Sequence, residues 1–461
     1  MLFSSLVFIF IFLPIVFIVS RFLNIKWQNV FLLLASLVFY AWGEPIYVFL
    51  MLFSILINYI AGLVIDIFKY NLVLKKIFLA LFIIIDVLIL GYFKYANLFF
   101  GTNIALPIGI SFFTFQAMSY IIDVFRGEAD CQKNIINIAL YISFFPQLIA
   151  GPIVKYKDID EQITNRKFDI EKLSFGIRRF IYGLAKKVII ANSLANVVDT
   201  IVSKMPVQSY GMITSWVIAL FYTLQIYYDF SGYSDMAIGL GKMFGFDFLE
   251  NFNYPYLSRS ITEFWRRWHI SLSTWFKEYV YIPLGGNRKG KLRTYINLII
   301  VFALTGFWHG ASWNFLAWGL MHGFFMLVER IFFKKVLDKI YIFNHIYTIF
   351  IVCITFVIFR FENIIDGLYI IHRLINPKFL SFDMDLSSLL NSYNMTIFYI
   401  AIIFSGPFQA IFKYLINKLL HINIEQYKLC IVENIFLLTI FLYSITELVS
   451  STYNPFIYFR F

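Results

Sequence analysis

Long apolar runs separated by short polar gaps make up most of the chain. Leu2–Ser20 is the first run, closed by Arg21 and Lys26; Val30–Trp42 is the second and ends in a Gly43-Glu44-Pro45 turn without Lys or Arg. Tyr47–Phe68 precedes Lys69, Lys75 and Lys76, and Ile77–Phe93 is the fourth run. Runs of this length and apolarity predict helices that cross a bilayer, a span taking about 20 residues. Basic gaps alternating with a non-basic one place the N-terminus outside and the first and third loops in the cytoplasm. The first run lacks the basic start and small-residue cleavage site of a signal peptide, and is read as a span.

Further along, the pattern is interrupted. Ile104–Val124 contains Pro107 and Gly109, which predict a broken or re-entrant element, tolerated where backbone lines a cavity. Ile136–Ala150 is short for a span and ends in Gly151-Pro152. Lys155–Arg179 is the longest polar segment. Simple alternation would put it outside, so a half-membrane element is expected nearby. Phe180–Val198, Gly211–Tyr228, Asn297–His309, Trp313–Leu327, Ile346–Phe361, Met395–Ile416 and Ile431–Val449 are further runs. Together they predict an all-α polytopic membrane protein of roughly eleven membrane elements, at least one of which does not cross. It forms one domain over residues 1–461, without a soluble domain or repeat.

Composition agrees with that class: 60% of the 461 residues are hydrophobic and 14% charged, against about 25% charged in soluble domains. The net charge of +11 falls mainly in the gaps, as positive-inside loops require, and no aromatic-plus-basic module points to nucleic acid. Cys131, Cys353 and Cys430 are too scattered for a disulfide framework or a zinc site.

The chemistry concentrates where the runs become less apolar. Asp229, Ser231 and Asp235 lie in Tyr228–Asp235, Asn253 in the next block, and Trp265-Arg266-Arg267-Trp268-His269 after it. Snorkelling arginines on an interfacial amphipathic helix account for part of this. The density of Asp229, Asp235 and Asn253 points instead to a polar, ligand-lined cavity, because unpartnered polar groups in low dielectric cost several kcal/mol. Thr305–Gly323, with Trp308, His309, Asn314 and His322, is otherwise apolar, and ionisable residues at that depth usually mark function. The two histidines are thirteen residues apart. That is about three and a half turns, so on one unbroken helix they would face nearly opposite ways, roughly 20 Å apart along the axis. Either Gly310–Asn314 breaks the helix or one histidine alone is reactive. Gly310-Ala311-Ser312 favours the break, with His309 at it and His322 on another face. His345, His372 and His421 lie outside any motif and are read as structural.

The segments LPIGISFFTFQ, LIAGPIVKYKD, YYDFSGYSDMAIGLGKMFGF, NFNYPYLSRSITEFWRRWHISLSTWFKEYVYIPLGGNRKG and TGFWHGASWNFLAWGLMHG resemble the membrane-bound O-acyltransferase (MBOAT) family. The likeness is to the bacterial branch that includes the alginate and peptidoglycan O-acetyltransferase membrane subunits, with the teichoic acid D-alanyl transferase more distant. It runs over essentially the whole chain. It implies the MBOAT fold, with re-entrant and interfacial helices around a central funnel or tunnel and a catalytic core over about residues 104–330. The active histidine falls on His309, a second on His322, and the Trp265–His269 block lies near the cytoplasmic mouth of the funnel.

A neutral imidazole suits acyl transfer from a thioester as general base, with a covalent acetyl relay as the other role for the same atom. Asp229 or Asp235 would orient it. Arg266, Arg267, Lys277, Arg288 and Lys289 suit the phosphates of a donor such as acetyl-CoA, or simply obey the positive-inside rule. No permanently bound cofactor is implied. The resemblance implies acetylation of an extracytoplasmic polysaccharide from the bacterial cytoplasmic (inner) membrane, with a separate esterase-like extracytoplasmic transferase as partner. A lean toward peptidoglycan over alginate rests on the Ile-, Phe-, Lys- and Asn-rich composition. A transporter and a non-enzymatic scaffold are the other function classes.

Overall fold

The computed structural model describes residues 1–333, 341–379, 386, 388–408, 411, 426–451 and 453–456. Among these residues there is no strand, and the chain is a succession of helices. Five are long and apolar enough to cross a membrane: Tyr47–Ile67, Ile170–Lys204, Trp313–Phe333, Ile342–Arg360 and Ile431–Ser450. Phe8–Arg21, Ile25–Ala41 and Ser392–Phe404 are shorter apolar helices.

The chain divides into two compact units. The first comprises Met1–Phe180, Tyr233–Glu250 and Thr274–Val280; the second comprises Ile181–Gly232, Asn251–Ser273 and Tyr281–Phe461. In the first, the break expected at Pro107 and Gly109 is present. Residues 101–107 lack helical structure and Gly109 takes φ 77°, a left-handed conformation suited to glycine. The following helix, Ile110–Arg126, is buried on every face from Ile110 to Val124, including the polar Ser111, Thr114, Gln116, Ser119 and Asp123. Trp275 stacks on Phe115 with ring centroids 3.8 Å apart and donates to its carbonyl at 3.0 Å. Beside it Tyr279 donates to the Asp123 carboxylate at 2.7 Å, and Lys155 meets Glu278 at 3.2 Å. Aromatic packing and paired charge thus hold residues 274–280 in the first unit, five residues after the Trp265–His269 block ends.

Several boundaries differ from the hydrophobic pattern. The run expected from Phe180 begins a helix at Ile170, inside the segment expected to be polar. Asp229 and Asp235, in the less apolar stretch that follows the run Gly211–Tyr228, continue the same helix, Met212–Met243, which no Pro interrupts. A Cβ on Gly232 would lie 2.8 Å from the Gly183 carbonyl oxygen, and one on Gly239 would lie 2.6 Å from that of Gly176. The helix Ile364–Ile375 was not anticipated from its apolar content. His421, the Cys430 side chain and residues 409–410 and 412–416 of the run Met395–Ile416 lie outside the described residues.

One buried ion pair sits in the second unit. Lys187 and Asp229 approach to 2.6 Å with side chains 3% exposed each, and the Lys187 ammonium also donates to the Pro455 carbonyl. Removing one partner strands the other charge at a cost of about 3–5 kcal/mol, whereas replacing both with apolar residues is often neutral. Asp229→Ala is therefore expected to lose most of its detergent-resistant folded population. The double variant Lys187→Met/Asp229→Leu should recover most of it, as measured by thermal unfolding of the purified protein.

Candidate active site

The helix Lys291–His309 ends on His309 itself. Gly310 is extended there, and a Cβ at that position would overlap the Phe315 ring. The Ser312 hydroxyl then accepts the Asn314 N–H at 3.3 Å and caps the helix Trp313–Val328. The expected break is thus real, and the chain doubles back. Gly306 and Gly319 let the two helices touch: a Cβ on Gly306 would overlap the Phe315 carbonyl oxygen, and one on Gly319 that of Phe302.

Doubling back changes the relation of the two histidines. Both rings pack on Trp318, His309 edge-on at 4.9 Å between centroids and His322 at 5.0 Å. The expectation that His322 occupies another face therefore gives way to two imidazoles sharing one buried indole. His309 also meets Trp308 at 4.9 Å and Phe359 at 5.3 Å. His322 is 0% exposed and is enclosed by Trp265 at 5.3 Å, Phe264 at 6.1 Å and Phe302 at 6.5 Å. Neither of its ring nitrogens has a hydrogen-bond partner among the described residues. A buried polar group left unsatisfied costs about 1–3 kcal/mol, so an imidazole in this state calls for an explanation.

The third histidine, His269, is held differently. It lies between the short helices Ile261–Arg267 and Ile270–Phe276, with φ 45°. A non-glycine residue there is strained by about 1–3 kcal/mol, and such residues cluster at functional sites. The strain is held in place from Asn251–Asn253: the Ile270 N–H donates to the Asn251 carbonyl and the Asn253 N–H to the Arg267 carbonyl, each at 2.9 Å. The His269 ring packs edge-on to Phe230 at 4.6 Å and meets Trp308 at 5.8 Å. Burial pushes its pKa down to about 3, so the ring is neutral at physiological pH. Contacts through Trp308 and Trp318 thus link His269, His309 and His322 in one buried aromatic cluster within the second unit.

The remaining expected residues divide. Trp265 and Trp268 belong to the cluster's wall, with Trp268 stacked on Phe264 at 5.4 Å. Glu329 anchors their helix by accepting the Ile261 N–H at 2.5 Å and the Thr262 N–H at 3.1 Å. Ser231 is buried in the helix Met212–Met243. Asp229 faces Lys187. Asp235 falls in the first unit and pairs with Arg179 at 2.6 Å, so the structure does not bring it together with the histidines within one unit. Asn253 is exposed, whereas Asn251, two residues earlier, is 0% exposed. The Asn314 amide donates to the carbonyls of Ile358 and Phe361. Arg267 pairs with Glu263 at 2.8 Å on the helix surface; Arg266, Lys277, Arg288 and Lys289 are exposed, with Lys277 in the first unit.

Residues not singled out from sequence are Asn251, Ser271, Trp318 and Lys187. Asn251 and Lys187 carried a signal, being polar residues in apolar surroundings. Trp318 did not, since an indole in an apolar helix reads as packing.

Chemically, the cluster offers imidazole nitrogens in a buried, aromatic-walled interior, an arrangement suited to proton transfer. The chain is 39% identical to a protein named probable alginate O-acetylase of Pseudomonas putida, the alignment covering 100% of both. It is 36% identical to a protein named peptidoglycan O-acetyltransferase of Helicobacter pylori, over 88% of this chain and 86% of that one. It is 30% identical to a protein named teichoic acid D-alanyltransferase of Bacillus subtilis, over 50% of this chain and 61% of that one. Residues 79–371 match the sequence model of the MBOAT, membrane-bound O-acyltransferase family. With more than half of its length in that match and a full-length relative at this identity, the chain belongs to the membrane-bound O-acyltransferase family and is an acyltransferase.

Proposed function

We propose that the protein takes an acetyl group from acetyl-CoA on the cytoplasmic side of the bacterial inner membrane and passes it across for O-acetylation of an extracytoplasmic polysaccharide. The observation that carries this reading is the pair His309 and His322 on Trp318, in a chain whose full-length relative is named an O-acetylase. In the transfer step, the His309 imidazole takes the proton of the attacking hydroxyl. The oxygen bonds to the acetyl carbon, the carbon–sulfur bond breaks, and the thiolate recovers the proton from the imidazolium. Direct attack by the same nitrogen, with an acetyl-imidazole relay, uses the same position and reactants.

The basic gaps at Arg21/Lys26 and Lys69–Lys76 support an orientation with the N-terminus outside. The resemblance to polysaccharide acetylation systems supports a separate extracytoplasmic transferase that completes delivery. For the acceptor, the composition-based lean toward peptidoglycan gives way to an alginate-like exopolysaccharide, supported by full-length coverage of the alginate-named relative against 88% for the peptidoglycan-named one.

The test is disruption of the gene in its own host, followed by ester-bound acetate measured separately on secreted polysaccharide and on purified wall glycan. Loss confined to the secreted polymer is expected. Loss confined to the wall reverses the acceptor assignment, and acetate unchanged on both removes the reading. Vesicles holding the purified protein and given labelled acetyl-CoA report the donor independently.

A further inference from the structure

The hydrogen bonds around Asn251 fix which nitrogen of His269 carries the proton. The Asn251 Oδ1 atom receives the Ser271 backbone N–H at 3.2 Å. A backbone N–H only donates, so the group facing it is the amide oxygen and not the NH2. The same oxygen accepts the Ser271 hydroxyl at 2.9 Å and lies 3.2 Å from His269 Nδ1. Facing an oxygen that only accepts, Nδ1 carries the hydrogen. In a neutral ring the other nitrogen, Nε2, is then a bare lone pair.

Nε2 is fully enclosed and has no hydrogen-bond partner among the described residues. An acceptor prepared in this way, on a strained residue tied down by two backbone bonds, is matched by a ligand that brings a hydrogen. A thioester carbonyl and its sulfur bring none. A sugar acceptor brings several: while the attacking hydroxyl gives its proton to His309, a neighbouring hydroxyl can donate to Nε2.

We propose that His269 Nε2 is a fixed hydrogen-bond acceptor for a second hydroxyl of the acceptor sugar, beside the one whose proton His309 takes, and that Asn251 is the positioning residue that sets its tautomer. The assignment rests on the acyltransferase reading above. It gives the Asn251–Ser271 pair a role that packing alone would not require, since a purely structural imidazole would serve equally well in either tautomer.

Two measurements test it. The first is the 15N NMR spectrum of the full-length protein in lipid, with its six histidines labelled and His269 assigned by difference from His269→Asn. The signature of an Nδ1–H ring is expected in the wild type and in Asn251→Asp, which keeps the oxygen. Asn251→Leu should shift toward the Nε2–H form. A protonated Nε2 in the wild type overturns the proposal, whatever the activity.

The second measurement is kinetic, with acetyl-CoA and a soluble sugar acceptor varied separately. His269→Asn retains a donor at the Nδ1 position but has no atom at Nε2. It is expected to lose about tenfold or more in kcat/KM for the acceptor, the size of one buried hydrogen bond, with KM for acetyl-CoA unchanged. His269→Gln, which can present an oxygen near Nε2, should recover part of the loss. Unchanged acceptor kinetics, or an effect on the acetyl-CoA KM alone, overturns the proposal. A wild-type protein with no acetyl transfer but an Nδ1–H ring would instead overturn the functional reading and leave the tautomer standing.

Discussion

His309→Ala is expected to reduce acetyl transfer by about 10³-fold, within the 10²–10⁴ range that a positioned proton-transfer group contributes. The ring is 6% exposed and packs against Trp308, Trp318 and Phe359. Truncation therefore also opens a cavity, at a cost of about 3 kcal/mol. His309→Phe keeps most of that volume and removes only the nitrogens. Transfer should fall as far in the Phe variant as in the Ala variant, while its unfolding temperature stays near that of the wild type. Rates are to be normalised to membrane-inserted protein. Full transfer in His309→Phe would remove His309 from the chemistry; loss of folded protein in both variants would make the residue a packing element.

His322→Phe separates function from stability in the opposite sense. The imidazole is enclosed by four aromatic side chains with both nitrogens unpartnered among the described residues. A phenyl ring fills similar space without polar atoms. Folding should gain about 1–3 kcal/mol from removal of the unsatisfied groups, while transfer falls by about 10²-fold. Thermal unfolding and transfer rate on one preparation give both readouts. A more stable protein with undiminished transfer would show that His322 only packs. Destabilisation would show that its nitrogens are satisfied in the folded membrane protein.

The helix break at Gly310 was legible because Gly310-Ala311-Ser312 sits between two apolar runs and Ser312 is a strong N-cap residue. The break before Ile110 was legible from Pro107 and Gly109. Asp229 and Asp235 stand out in the sequence as polar residues in an apolar chain, but the partner that answers each charge is distant in sequence. Lys187 lies on another helix and Arg179 in the segment read as a polar loop. Nothing local distinguishes Asn251 from Asn253, two asparagines separated by one Phe; only burial does.

From the sequence alone follow the membrane class, most of the apolar helices, the hairpin break and the histidines as candidates for the reactive groups. All of these depend on local hydrophobicity, backbone preference and residue chemistry. Tertiary structure decided which groups meet. It folded His309 and His322 onto one indole, set the His269 tautomer through Asn251 and placed Asp235 in the first unit. Close helix contact at Gly306 and Gly319, and hydrogen bonds between segments far apart in the chain, depend on where the backbone returns, which no local pattern encodes.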